Sequence, residues 1–435
     1  MALLICAVFI SYANSLWGSF QFDDFNVIVN NARIHSWSAW WNDVGQGIRP
    51  LLKLTYTFDW TMGLGVTGFH LTNILIHLCN TLLVWLLSRR FVEHYPALHV
   101  HTAIPLLAAL LFAVHPAHTE AVAYISGRSS ALMTLFYLSG LLFYIAGKAL
   151  HKQWYLHVFT PLCMLLALGV KETAVTFPLA LLLWELYNGG SVKSAIRNQW
   201  SSWTLLLASS IFFFLHPGYL SMMETSGEFN SLSGNVATQL LAFVYLLRQW
   251  LLPLWLNIDP DLPVLHGYTG LLPHALVLLL VLAITLLTVR RRPWLSFALA
   301  WTALQLIPLY LFLPRLDVAN DRQLYLVSWP LALAIVIEMS LWLKPSAFRL
   351  SIGTIFIVLM SLTVLRNQDY RNEVSLWEAT AKRSPEKARV QNNLGYAYML
   401  GGRKEEARTA FNNALLLDPK YYQARYNLLR LNEAR

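Results

Sequence analysis

Apolar stretches long enough to cross a membrane recur along this 435-residue chain from its N-terminus to about Arg366, and no other feature restricts its fold so far. Inside hydrocarbon every backbone N–H and C=O needs a partner within the protein, so only helices or closed barrels can span it. Runs of roughly 17–25 apolar residues suit helices. Such segments fall at 2–19, 66–88, 102–115, 131–147, 154–170, 173–188, 201–217, 271–289, 294–313, 324–343 and 348–366, about eleven in all. With 56% hydrophobic and 13% charged residues, the composition excludes an ordinary soluble domain. Beyond Arg366 the chain turns polar. The expected organisation is an all-α polytopic membrane helix bundle over 1–366 and a soluble tail over 367–435.

Basic residues lie on alternate loops: Arg89 and Arg90, Lys148 and Lys152, Lys193 and Arg197, Arg290 to Arg292, and Lys344 with Arg349. The positive-inside rule makes these loops cytoplasmic, so the net charge of +9 is largely a topology signal and no nucleic-acid partner is expected. The apolar stretch at 236–257 carries Arg248 and Pro253, and counting it as a span would send the triple arginine outside. It is expected as an interfacial or re-entrant helix on the outer face, where Arg248 can snorkel. The first apolar run is read as an uncleaved helix, because no basic region precedes it although the small residues of "SYANS" follow. Cys6, Cys79 and Cys163 sit within apolar runs and read as packing residues, not as a disulfide framework or zinc cluster.

Eleven crossings from an inside N-terminus put the tail outside. The same parity gathers Asp23 and Asp24, "HPAHTEAVAYISGR" (115–128), "KE" (171–172), "SGEFN" (226–230) and "RLDVANDRQLY" (315–325) on the outer side. Ionisable groups at the hydrocarbon boundary are costly and read by default as a site with partners.

The tail is repetitive. In "ARVQNNLGYAYMLGGRKEEARTAFNNALLLDPKY" (388–421), Leu394, Gly395, Tyr398, Ala407, Phe411, Ala414 and Pro419 occupy the positions of a tetratricopeptide pattern. Trp377 and Pro385 match one period earlier and Leu428 one period later, giving one full repeat between half-repeats. Such an α-solenoid presents a concave surface for a peptide or partner helix. Asn393 and Asn427, one period apart, either clamp an acceptor peptide backbone or simply suit that turn of the motif.

Carboxylates, arginines and a lysine on the outer side, without a P-loop or a glycine-rich dinucleotide turn, fit transfer from a lipid-linked phosphosugar. An aspartate can deprotonate the incoming hydroxyl, and Arg and Lys can hold the departing phosphate. Attack on the anomeric carbon in such a site inverts it.

The order of "FQFDDFNVIVNNARI" (20–34), "RPLLKLTYTFD" (49–59), "GFHLTNILIHLCN" (68–80), "HPAHTEAVAYISGRSSAL" (115–132), "KETAVTFPLALLLWE" (171–185), "ANDRQLYLVSWPL" (319–331) and the tail repeat resembles the transmembrane and tetratricopeptide repeat-containing O-mannosyltransferases, most of all their shorter bacterial relatives. The resemblance implies a GT-C glycosyltransferase fold, a polyprenyl-phosphate sugar donor, and Ser or Thr hydroxyls of exported proteins as acceptors. It further implies a bacterial inner membrane location, with site and tail in the periplasm. By position, Asp23 matches the catalytic aspartate and Asp24 a supporting or metal-facing carboxylate; the alternative is that both merely flank a helix end in water. Arg128, Lys171 and Arg322 are the expected phosphate partners, against buried ion pairs such as Lys171 with Glu172 or Arg322 with Asp321. Arg49 is either a structural anchor or a second phosphate contact. His115, His118, Glu120, Glu172, Asp321 and Tyr325 are expected to orient substrate. No metal site is assigned, and a divalent cation is the alternative for His115, His118 and Glu120. His70, Asn73 and His77 form a polar stripe on one helix, expected to pack beneath the site. Trp40 and Trp41 suit a juxtamembrane helix. Ser130 and Asp321 depart from the family pattern, where an acid and a Glu are usual.

Other readings use the same residues. The fold also suits sugar addition to a lipid-linked glycan or surface polysaccharide. A scaffold recruiting partners through the tail has no use for so many crossings, and a transporter would carry its ionisable groups at mid-membrane.

Overall fold

The computed structural model describes residues 1–99, 102–227, 232–265, 271–306 and 317–433. "SGEFN" after residue 227, the end of the 294–313 segment and residues 315–316 lie outside them. Among the described residues the chain is helical with no strand. Among the described residues four helices are long and apolar enough to cross a membrane: Gly65–Glu93, Ile125–Ala149, Leu271–Thr288 and Pro345–Asp369. Two bent pairs, Ile104–Val114 with Pro116–Val122 (53°) and Trp200–Leu215 with Pro217–Thr225 (73°), raise the number to six if each is one span. The remaining apolar helices, Ala2–Trp17, Tyr155–Val170 and Ser328–Trp342, are shorter. Breaks divide what the hydropathy pattern draws as continuous spans, so length and composition support four to six crossings where about eleven were expected.

Gly65–Glu93 is the central helix, packing against Ala2–Tyr12, Ile104–Val114 and Arg128–Ala149. Its polar stripe faces inward and holds the ends of its neighbours. Asn73 Nδ2 donates to the Val122 carbonyl at 3.1 Å, Asn80 Nδ2 to the Ala131 carbonyl at 2.8 Å, and His77 Nε2 lies 3.0 Å from the Ala113 carbonyl. Helix Ile104–Val114 stops at Pro116, which frees its last carbonyls in an apolar setting. His77 takes that of Ala113, His118 Nδ1 that of Phe112 at 2.9 Å, and Thr363 Oγ1 that of Val114 at 2.6 Å. A helix break deep in the protein is thus paired side chain by side chain.

The tail forms helices Glu373–Arg383, Ala388–Leu400, Lys404–Leu417 and Tyr422–Glu433, one helical pair between two single helices. Gly395 lets two of them touch: a Cβ there would lie 2.6 Å from the Phe411 ring. The short helix Trp37–Asp43 leaves Trp41 exposed, whereas Trp40 is partly buried with its indole N–H on the Pro50 carbonyl at 2.9 Å. All three cysteines are free.

Candidate active site

Asp23 and Asp24 follow the first apolar helix, as its sequence position demands, yet their surroundings differ. Asp24 is buried and used on both oxygens: Oδ2 accepts the Gln21 N–H at 3.0 Å, and Oδ1 accepts the Ser126 N–H at 2.8 Å and the Ser126 hydroxyl. It ties the loop after the first helix to the "ISGR" turn. Burial outweighs these donors and pushes its carboxyl up to about 7. The turn itself needs Gly127, where a Cβ would collide with the Glu120 carbonyl oxygen.

Asp23 is only half-buried. Its N–H donates to the Tyr124 hydroxyl at 3.0 Å, and that hydroxyl tempers the rise of the carboxyl's pKa. Burial raises its pKa above the ordinary carboxylate value, against the pull of the Arg322 guanidinium and with the push of Asp317. This carboxylate therefore combines access, a raised pKa and a cation in its field.

Arg322 is fixed by Glu120, whose Oε2 accepts the Arg322 N–H at 3.1 Å and whose Oε1 lies 3.4 Å from Nε. Its guanidinium lines a narrow cleft with Lys171, Ser130, Thr134, Thr173 and Gln305. Lys171 Nζ donates to Ser130 Oγ at 2.8 Å, so the serine standing in place of an acid is a neutral partner for the lysine. Two cations thus face one cleft of about 20 Å³, room for little more than a water as it stands, with the Asp23 carboxylate in the field of Arg322.

Ion pairs do form at Glu172, Arg322 and Asp321, with partners from elsewhere in the chain. Arg49 grips Glu172 with Nε at 3.1 Å and Nη2 at 2.9 Å, Arg322 takes Glu120, and Asp321 lies 3.7 Å from Arg366. Glu172 and Asp321, expected to orient substrate, are thus ion-pair partners in this structure. Arg128, expected on the donor phosphate, is wholly buried away from the cleft. It meets Asp59 at 2.6 Å, Asn73 Oδ1 at 2.6 Å, the Phe69 carbonyl at 2.9 Å and Thr55 Oγ1 at 3.2 Å, with the Tyr56 ring 4.8 Å away. Every donor it carries toward those groups is committed, because a buried guanidinium left unpaired would be costly.

His115, His118 and Tyr325, expected to orient substrate, lie in the core. His115 stacks on Trp250 and reaches the Trp250 carbonyl at 3.1 Å, closing the end of helix Leu232–Leu251. His118 closes helix Ile104–Val114, and Tyr325 binds His77 at 2.6 Å and Asn80 at 3.1 Å. Backbone carbonyls freed at helix ends draw the two histidines inward, and the polar stripe of helix Gly65–Glu93 draws Tyr325. Among the described residues no cluster of three His, Cys, Asp or Glu side chains could hold a metal.

The tail docks directly beside Asp23. Phe22, in the left-handed region at φ 46°, donates its N–H to Glu373 Oε2 at 2.7 Å and sets its ring edge-on to Trp377, 5.0 Å between centroids. A bulky residue there costs about 1–3 kcal/mol, offset by an aromatic pair of about 0.5–1.5 kcal/mol and a hydrogen bond to a carboxylate of about 1.5–3 kcal/mol. Asp259 receives Lys387 at 2.6 Å and Arg389 at 2.8 Å, and Arg389 continues to Asp317 at 2.5 Å. Sequence reasoning missed Tyr124, Asp317, Glu373 and Arg389. Tyr124, Asp317 and Arg389 stand inside quoted motifs, and Glu373 carried no signal. Asn393 and Asn427 meet through Asn392, at 3.2 Å and 3.1 Å, forming a three-asparagine row.

A tetratricopeptide repeat family model matches residues 388–421. Over 97% of its length the chain is 27% identical to a protein O-mannosyl-transferase of Caenorhabditis elegans, covering 63% of that protein. Over 98% it is 26% identical to Protein O-mannosyl-transferase Tmtc3 of Drosophila melanogaster, covering 56%. Its curated homologues are the transmembrane and tetratricopeptide repeat-containing protein O-mannosyltransferases. A further 35% identity to human Protein O-mannosyl-transferase TMTC4 extends over 31% of the chain and 21% of that protein. The chain spans less than two thirds of the length of these relatives. No solved structure matches it.

Proposed function

We propose that this chain is an inverting membrane glycosyltransferase of GT-C type that moves mannose or another hexose from a polyprenyl-phosphate donor to Ser or Thr hydroxyls of exported proteins. The observation that carries it is the half-buried Asp23, its backbone N–H held by the Tyr124 hydroxyl and its carboxylate in the field of an Arg322 that shares a cleft with Lys171. In this scheme Asp23 takes the hydroxyl proton as the acceptor oxygen forms its bond to the anomeric carbon. The bond from that carbon to the phosphate oxygen breaks on the opposite face. Polyprenyl phosphate leaves with its negative charge held by Arg322 and Lys171, while Arg49 and Glu172 brace the cleft wall. Asp24 shapes the loop. The names of the homologues support a protein acceptor, and the docked repeat, with its asparagine row at Asn392, Asn393 and Asn427, supplies a surface for one. The proposal retains the eleven-crossing topology, with membrane domain 1–366 in a bacterial inner membrane and site and tail 367–435 on its periplasmic side.

The test is transfer of radiolabelled mannose from polyprenyl-phosphate mannose to protein in membranes bearing wild type, Asp23→Asn or Asp24→Asn at matched expression. Transfer by wild type and a loss of about 10²–10⁴-fold in Asp23→Asn is expected for a general base. Wild-type protein that transfers neither mannose nor the glucose or N-acetylhexosamine analogues refutes the donor class.

A further inference from the structure

We propose that the first tail helix, Glu373–Arg383, is a positioning element of the active site, with Glu373 setting the orientation of Asp23 through Phe22. The inference rests on the transferase reading above. Glu373 stands at the start of that helix, behind the Asn372–Ser375 capping box that fixes where the helix begins. Its two oxygens serve two donors: Oε2 takes the Phe22 N–H at 2.7 Å and Oε1 the Trp377 indole N–H at 2.8 Å. Trp377 then presents its ring to Phe22. One carboxylate thus holds both the backbone and, through the indole, the side chain of the residue before Asp23.

That residue has the unusual backbone of the loop. At φ 46° Phe22 turns the chain sharply, and the next amide points at Tyr124. Relaxation of Phe22 into an ordinary backbone region would swing Asp23 away from Tyr124 and Arg322. Strain of this kind persists only where neighbours over-determine it, and here the neighbours belong to the tail. A tail serving only to gather acceptor proteins has no need of a backbone hydrogen bond one residue from Asp23. Further along the tail, Ser384, Lys387 and Arg389 fasten the helical unit to Asn257, Asp259 and Asp317, which keeps Glu373 in register with Phe22.

The experiment uses the purified full chain, polyprenyl-phosphate mannose and a Ser/Thr peptide, comparing wild type, Glu373→Ala and the pair Glu373→Gln with Trp377→Phe. In the pair the glutamine oxygen needs to accept only the Phe22 N–H, because phenylalanine has no indole donor. Hydrogen exchange at the Phe22 amide is read in parallel, with melting temperature as the folding control. Glu373→Ala is expected to lose Phe22 protection and to drop kcat by about tenfold to a hundredfold, as a misplacement near 1 Å would, with peptide KM little changed. The paired variant is expected to restore protection and most of kcat. Wild-type kcat in Glu373→Ala overturns the inference, as does a loss expressed in KM alone or one that the paired variant does not recover. Absence of transfer by wild-type protein overturns the transferase reading instead, and the exchange data still report whether Glu373 holds the loop.

Discussion

Replacement of Arg128 by Met separates a structural role from a substrate role at the cation that most invited misreading. Its guanidinium is fully buried, 2.6 Å from Asp59, which also accepts the Thr72 hydroxyl at 2.7 Å. Removing the cation therefore leaves a carboxylate in the interior without its counter-charge, at a cost of about 3–5 kcal/mol. The carbonyl of Phe69 and the amide oxygen of Asn73 lose their donors as well. Adding Asp59→Asn removes the uncompensated charge and is expected to recover about half of the loss, since the unpaired ion is the larger part of such penalties. Unfolding would be followed by tryptophan fluorescence in detergent, and transfer measured on the folded fraction. Arg128→Met should melt early and transfer poorly, and the double variant should regain both together. A double variant that melts like wild type but transfers nothing would refute the argument and return Arg128 to the donor phosphate.

Two further outcomes follow from the site. As the proposed base, Asp23 would act only when ionised, and burial raises its pKa above 3.8, so kcat/KM should fall as pH drops through a midpoint above the ordinary carboxylate range; a profile flat from pH 4 to 8 would remove it as the base. Asp259→Ala leaves Lys387 and Arg389 without their shared carboxylate, a loss on the order of 1–3 kcal/mol, and should raise hydrogen exchange across residues 373–400 while sparing helix Gly65–Glu93.

The tail was legible because a repeat writes its contacts locally: Gly395, Ala407 and Phe411 recur at fixed spacing and touch at that spacing. The polar stripe His70, Asn73 and His77 was legible too, from helical periodicity alone. Arg128 was not, because its partner Asp59 lies on another helix and no sequence spacing reports that distance. The histidines of "HPAH" misled for a related reason. Their partners are backbone carbonyls, which leave no trace in residue identity, whereas proximity to an acidic motif suggests chemistry. Span counting differs for another reason: hydropathy sees apolar residues along 2–19, 154–170 and 324–343 but not where the helices end, and there the described helices Ala2–Trp17, Tyr155–Val170 and Ser328–Trp342 are shorter than a full span.

The acidic pair shows how local surroundings divide two identical side chains. On pKa alone Asp24, pushed up to about 7, would be the better base, since a base works best with a pKa near the working pH. Yet a base must also aim a free lone pair at the proton it takes. Both Asp24 oxygens are turned to Gln21 and Ser126, in a place where no acceptor hydroxyl can enter without breaking the loop that carries Asp23. Asp23 has a smaller reason to be basic and a better place to be so. Geometry decides before acidity does, and the same donors that disqualify Asp24 from chemistry hold its neighbour where a substrate can reach it.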